Sequence, residues 1–188
     1  PLPVPDAGTN QSICLGDNAT LSCTGGATYD WTPGNLSGAS ISVSPNATTT
    51  YTVLVTTSAG CQATTQVTVN VNPIPVADFA NSGNICQYNS ISFTDQSSVT
   101  TGNITGWSWD FGNGSSSSDA NPSNFYSTFG NFSVVLTVTS DNGCADQQTI
   151  PVTVFEKPDA LISVADVDRK STRLNSSHSS VSRMPSSA

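Results

Sequence analysis

Apolar side chains recur at every second position along short stretches of this chain. Trp107, Trp109 and Phe111 fall on one side of an extended segment, with Ser108 and Asp110 on the other, and Phe132, Val134, Leu136 and Val138 repeat the pattern further on. A period of two predicts strands with one buried face. The Thr- and Val-rich stretch 48–55 and the runs Val67-Thr68-Val69 and Val152-Thr153-Val154 extend the same reading. Between these runs lie turn residues, among them Gly112-Asn113-Gly114, a sequence that tolerates positive φ. The body is rich in Thr, Ser, Val, Asn and Gly, so the predicted class is all-β. No apolar run approaches the roughly 18 residues needed to span a bilayer.

The pattern occurs twice. Ser12-Ile13-Cys14 recurs as Asn84-Ile85-Cys86, Tyr29-Asp30-Trp31 as Trp107-Ser108-Trp109, and Gly60-Cys61 with Val67-Thr68-Val69 as Gly143-Cys144 with Val152-Thr153-Val154. Each copy carries its own tryptophan, aromatic strand and cysteine pair, which predicts two tandem sandwiches rather than a solenoid. Boundaries are expected at 1–73 and 74–158, with Pro73 and Pro158 closing the copies. The proline-punctuated stretch 71–79 is expected to act as a semi-rigid spacer. Residues 159–167 read as the start of a truncated third module, so the chain is expected to be an internal fragment.

The second copy resembles the PKD domain, a small extracellular β-sandwich. The likeness rests on Trp107-Ser108-Trp109-Asp110-Phe111-Gly112-Asn113-Gly114, then Tyr126, Gly130 and the alternating run from Phe132 to Val138. The family usually has Asp in place of Asn113 and His in place of Asn124, and both departures bear on polar turn contacts. The first copy resembles the PKD-related Ig-like modules that often precede PKD domains in large bacterial surface proteins, through its strand 48–55 and the Thr32-Pro33-Gly34 turn after Trp31. Surface proteins of gliding, type IX-secreting bacteria look similar in their Ile-Cys…Gly-Cys repeats.

From Asp168 the composition changes. Residues 168–178 and 182–188 resemble the codon-for-codon translation of a common short-read sequencing adapter, so 168–188 are expected to be a non-native, disordered tail and are set aside from fold reasoning. The exclusion alters the charge. Four of the five Lys and Arg residues, the single His178 and the single Met184 lie in that tail. Residues 1–167 keep Lys157 against eleven Asp and one Glu, a formal net charge of −11. So acidic a body repels nucleic acid and anionic membrane surfaces.

Without the tail there is no histidine, which removes Ser/His/Asp and Cys/His nucleophile systems and the common histidine-based zinc sites. No P-loop or dinucleotide glycine pattern is present. Most aspartates stand in turns or at strand ends, where they cap their own backbone. No catalytic residue and no cofactor is therefore expected. Calcium is the one metal worth weighing, since some PKD domains bind it and Asp95, Asp110, Asn113 and Asp119 carry oxygens suited to a hard cation. Turn capping by Asp95 and Asp110 is the competing role. Trp107, at the entry to its strand, is the candidate for an exposed ligand-stacking surface.

Five cysteines point to an oxidising compartment. Repeat equivalence pairs Cys14 with Cys61 and Cys86 with Cys144, leaving Cys23 as a free, buried thiol on a strand face with Ala19 and Leu21. A rival pairing joins Cys23 to Cys61 around Trp31. The resemblance implies non-catalytic, extracellular spacer or adhesion modules of a bacterial surface protein, binding protein or carbohydrate partners. The alternative is an accessory module of a secreted protease or polysaccharide-degrading enzyme.

Overall fold

The computed structural model describes residues 2–159. The expected third-module start, beyond its first residue, and the adapter-like stretch 168–188 lie outside the described residues. Those up to Lys157 form one compact unit, and every described element is a β-strand.

In the first module the strands are β1 (Gln11–Cys14), β2 (Ala19–Ser22), β3 (Thr28–Thr32), β4 (Leu36–Ser37), β5 (Ser40–Val43), β6 (Thr49–Thr56) and β7 (Gln62–Asn72). They form one sheet in the order β1-β7-β6-β3-β4 and a second of β2 and β5. The second module begins with β8 (Phe79–Asn81), then β9 (Ile85–Cys86), β10 (Asn89–Asp95), β11 (Ile104–Asp110) and β12 (Ser116–Ser117). It continues with β13 (Ser123–Tyr126), β14 (Gly130–Ser140) and β15 (Ala145–Phe155). Its sheets are β12-β11-β14-β15-β9 and β13-β10-β8. The larger sheets match strand for strand, β9 standing for β1 and β15 for β7. In both modules the short Ile-Cys strand pairs parallel with the long final strand, while the other ladders are antiparallel.

Two separate cores lie between these sheets. Trp31, Val53, Val55, Leu21, Val67 and Val69 are fully buried in the first. Trp109, Phe93, Phe111, Tyr126, Ile91 and Leu136 fill the second. The alternation legible in β6 and β14 is the alternation of burial: every second residue from Tyr51 to Val55 and from Val134 to Val138 is buried. Each such side chain contributes roughly 1.5–3 kcal/mol by leaving water.

Both tryptophans satisfy their indole N–H inside the module, as a buried donor must. Trp31 Nε1 donates to the Gly38 carbonyl at 2.9 Å and Trp109 Nε1 to the Asp119 carbonyl at 2.9 Å. The Tyr126 hydroxyl donates to the Phe111 carbonyl at 3.1 Å, tying β13 to the strand end across the core.

The turn after β11 depends on glycine. Gly112 has φ +72°, and a Cβ there would stand 2.8 Å from the Ser133 carbonyl oxygen, a backbone atom that cannot swing away. Gly112→Ala is expected to destabilise the second module by about 1–3 kcal/mol through positive φ and this clash together. A denaturant melt checks it, and Gly114→Ala, with nothing within 4 Å of its Cβ, is the milder control.

Candidate functional site

The feature with the most chemistry is the junction between the modules. Cys14 is the last residue of β1, and β1 runs parallel to β7 so that Cys14 stands opposite Asn72, where the chain leaves the first module. Cys144 precedes β15, in the turn that follows β14. The two form a disulfide with Cα atoms 5.7 Å apart, within the ordinary range for a bridge. It joins residues 130 apart in sequence and one module to the other.

This corrects the expected pairing. Cys14 does not bond Cys61, and Cys86 does not bond Cys144. The reason is the length of the final strands. Cys61 enters β7 and Cys14 faces its last residue, so the eleven residues of β7 separate them; at about 3.3 Å per residue that is roughly 35 Å. The eleven residues of β15 separate Cys144 from Cys86 in the same way. Cys23 does not bond Cys61 either; it is buried as a free thiol, and Cys61 and Cys86 are also unpaired. Burial pushes the Cys23 thiol pKa up, partly opposed by backbone hydrogen bonds, which keeps it protonated and unreactive. Beside the bridge, Leu15, Val71 and Pro73 of the first module and Thr100 and Thr101 of the second line a cleft of about 280 Å³.

Of the calcium candidates, Asp110 and Asn113 share the turn after β11 while Asp95 and Asp119 lie in others, and all but Asp119 hold backbone N–H groups. Asp95 Oδ1 accepts from Ser97 N at 3.0 Å while its Oδ2 accepts from Trp107 Nε1 at 2.7 Å. Asp110 Oδ1 accepts from Gly112 N at 2.9 Å and Asn113 Oδ1 from Ser115 N at 3.1 Å. Asp119 Oδ2 accepts from the Ser117 hydroxyl at 3.4 Å. Among the described residues no group of three or more His, Cys, Asp or Glu side chains is placed to hold a metal ion.

Trp107 is half-buried against the second core and anchored to Asp95, so it is a poor open platform. The bond to Asp95 was not legible from positions twelve apart, because it depends on how strands of two sheets face each other. Asp95→Ala removes a charge-assisted, part-buried hydrogen bond and is expected to cost about 1.5–3 kcal/mol, with a change in tryptophan emission as its direct readout. The exposed aromatics are instead Tyr88, Phe125, Phe129 and Phe155. Tyr51 and Tyr126 have phenol pKa values raised first of all by burial, as core residues do.

Asn124 occupies the position where the PKD pattern usually has histidine. It is buried on β13, and its amide nitrogen has no hydrogen-bond partner.

Comparison with known proteins places both modules. Residues 72–154 match the PKD domain family, and residues 3–73 match the family described as Ig-like domain, CHU_C associated. A pre-pro-metalloprotease, PrtV, of Vibrio cholerae is 46% identical over 74 residues, covering 38% of this chain and 8% of that protein. Collagenase ColA of Clostridium perfringens is 29% identical over 118 residues, covering 62% of this chain and 11% of that protein. The crystal structure of the PKD1 domain of Vibrio anguillarum Epp is 35% identical and covers 46% of this chain and 99% of that one, at a TM-score of 0.42. The chain thus spans about a tenth of the length of the curated relatives it matches.

Proposed function

We propose that this chain, a PKD domain preceded by an Ig-like domain, is a non-catalytic extracellular spacer and adhesion unit whose two modules, 1–73 and 74–158, hold a distal part of a larger protein at a fixed angle. The observation that carries this reading is the Cys14–Cys144 bridge. A proline-punctuated linker alone leaves two domains free to swing, whereas a second covalent tie beside it removes most of that freedom. A bridge of this kind persists in an oxidising compartment, which fits a surface or secreted setting. The acidic body and its exposed aromatic side chains suit contacts with protein or glycan partners rather than nucleic acid. Among the described residues no helix is long and apolar enough to cross a membrane.

A second reading is favoured by the matches to a metalloprotease and a collagenase. In it the same pair of modules is the accessory part of a secreted hydrolase. Small-angle scattering of the chain with and without reductant tests the spacer reading: a single compact separation between module centres is expected in the oxidised chain, broadening on reduction. An oxidised chain already as broad as the reduced one would count against it. Retention of the chain on insoluble collagen or polysaccharide, with no cleavage of either, would favour the accessory role.

The commitment of the Asp95, Asp110 and Asn113 oxygens to backbone and indole donors leads to a further expectation. Millimolar calcium is expected to move the melting temperature by less than about 2 °C, because a ligand stabilises only in proportion to its binding. Differential scanning fluorimetry across a calcium series checks it.

A further inference from the structure

Each module presents one cysteine at each end, in matching backbone settings. At the exit, Cys14 faces Asn72, the last residue of β7, and Cys86 faces Phe155, the last residue of β15. At the opposite end, Thr57–Cys61 and Ser140–Cys144 form the same turn. Gly60 N donates to the Thr57 carbonyl and Gly143 N to the Ser140 carbonyl, both at 2.9 Å. Cys61 N donates to Thr57 Oγ1 at 3.1 Å and Cys144 N to Ser140 Oγ at 3.2 Å. The two glycines share φ values of +78° and +81°. The junction between the two described modules joins the exit cysteine of one, Cys14, to the turn cysteine of the next, Cys144.

We infer that Cys86 and Cys61 are the two open halves of the same staple: Cys86 bonds the Gly-Cys turn cysteine of a following module of this type, and Cys61 bonds the Ile-Cys cysteine of a preceding one. Successive modules are then locked one to the next along an array. In each staple two thiols lose two protons and two electrons to a disulfide-bearing oxidant, a thiol–disulfide oxidoreductase or glutathione disulfide, which is reduced to its thiol form.

The surroundings of Cys86 support a module as its partner. Cys86 is exposed, and the side chains beside it, Tyr88 and Phe155, are 57% and 52% exposed. At the corresponding end of the first module, Leu15 and Val71 lie with Thr100 and Thr101 of the second along the junction cleft. The linkers correspond as well. Asn72-Pro73-Ile74-Pro75-Val76-Ala77 leads into the second module, and Pro3-Val4-Pro5-Asp6-Ala7 into the first. Ala77 and Ala7 are equally buried, and Val76 and Asp6 each bridge an antiparallel neighbour, Ser98 and Thr24. The inference stands on this geometry and is independent of what the array carries.

A four-module polypeptide tests it. One copy ending at Phe155 continues at Pro3 of a second, complete copy, which reproduces the length and prolines of the natural linker. Cys61→Ser in the first copy and Cys86→Ser in the second leave one Cys86 upstream of one Cys61. After oxidation in a glutathione redox buffer, cleavage before aspartate is expected to yield fragment 78–94 of the first copy bonded to fragment 30–77 of the second. In the reversed arrangement, with Cys61 kept in the first copy and Cys86 in the second, both thiols are expected to remain open to alkylation. Recovery of Cys86 of the first copy and Cys61 of the second as alkylated thiols in the first arrangement once both Cys14–Cys144 bridges have closed, or equal bridging in the two arrangements, would overturn the proposal; Cys23, free in both copies, is alkylated in either case.

Discussion

Trp109→Ala is expected to cost the second module about 3–5 kcal/mol, enough to unfold a domain of marginal stability. Trp109 is 1% exposed and is the hub of an aromatic cluster, with ring centroids 5.0 Å from Phe79, 5.5 Å from Phe93 and 6.2 Å from Phe111. Its removal opens a cavity between sheets that cannot collapse, since strands on both sides are held in register. It also leaves the Asp119 carbonyl without its indole donor. Because Trp31 and its neighbours form a core of their own, calorimetry of the mutant is expected to lose the transition of the second module and to keep that of the first. A ligand platform would behave in the opposite way, with binding lost and both transitions unmoved.

Cys14→Ser is expected to have an effect of similar size. A link across 130 residues restricts the unfolded chain by about 5 kcal/mol in the chain-entropy account. Because the bridge joins the two modules, its loss falls on both: each module's transition is expected to move to lower temperature in calorimetry. Cys144→Ser should reproduce this, and adding the second mutation to the first should cost little more, since the two side chains act as one bond. Cys86→Ser breaks no bridge in this chain and is expected to leave the melting curve in place.

Much of the fold was legible along the chain. The alternation of Trp107, Trp109 and Phe111 placed one face of β11 toward the core, and the repeat located the second tryptophan, Trp31, before any packing was known. The PKD resemblance rested on the same aromatic strand, and the Ig-like one on the strand 48–55 and the Thr32-Pro33-Gly34 turn after Trp31. The capping roles of Asp95 and Asp110 followed from ordinary turn chemistry. The disulfide did not follow, for a physical reason. A repeat tells which residues are equivalent but not which copies meet, and treating each copy as closed paired cysteines that stand at opposite ends of one long strand. The signal that could have prevented this was the length of the run from Cys61 to Asn72. Once that run is one strand, Cys61 can reach the exit end of its own module only across its whole length. The bond between Trp107 and Asp95, and the orphaned amide of Asn124, depend on inter-sheet geometry that no spacing along the chain encodes.

The covalent tie between the modules underlies the spacer reading, and one map of cysteine fragments tests it. Cleavage before aspartate separates all five cysteines, with Cys14 in fragment 6–16, Cys23 in 17–29, Cys61 in 30–77, Cys86 in 78–94 and Cys144 in 141–145. Mass analysis of the unreduced digest is expected to find fragment 6–16 bonded to fragment 141–145, with the other three cysteines recovered as alkylated thiols. Fragment 6–16 bonded to 30–77, with 78–94 bonded to 141–145, would mean that each module closes on itself and that nothing but the proline linker holds the two together.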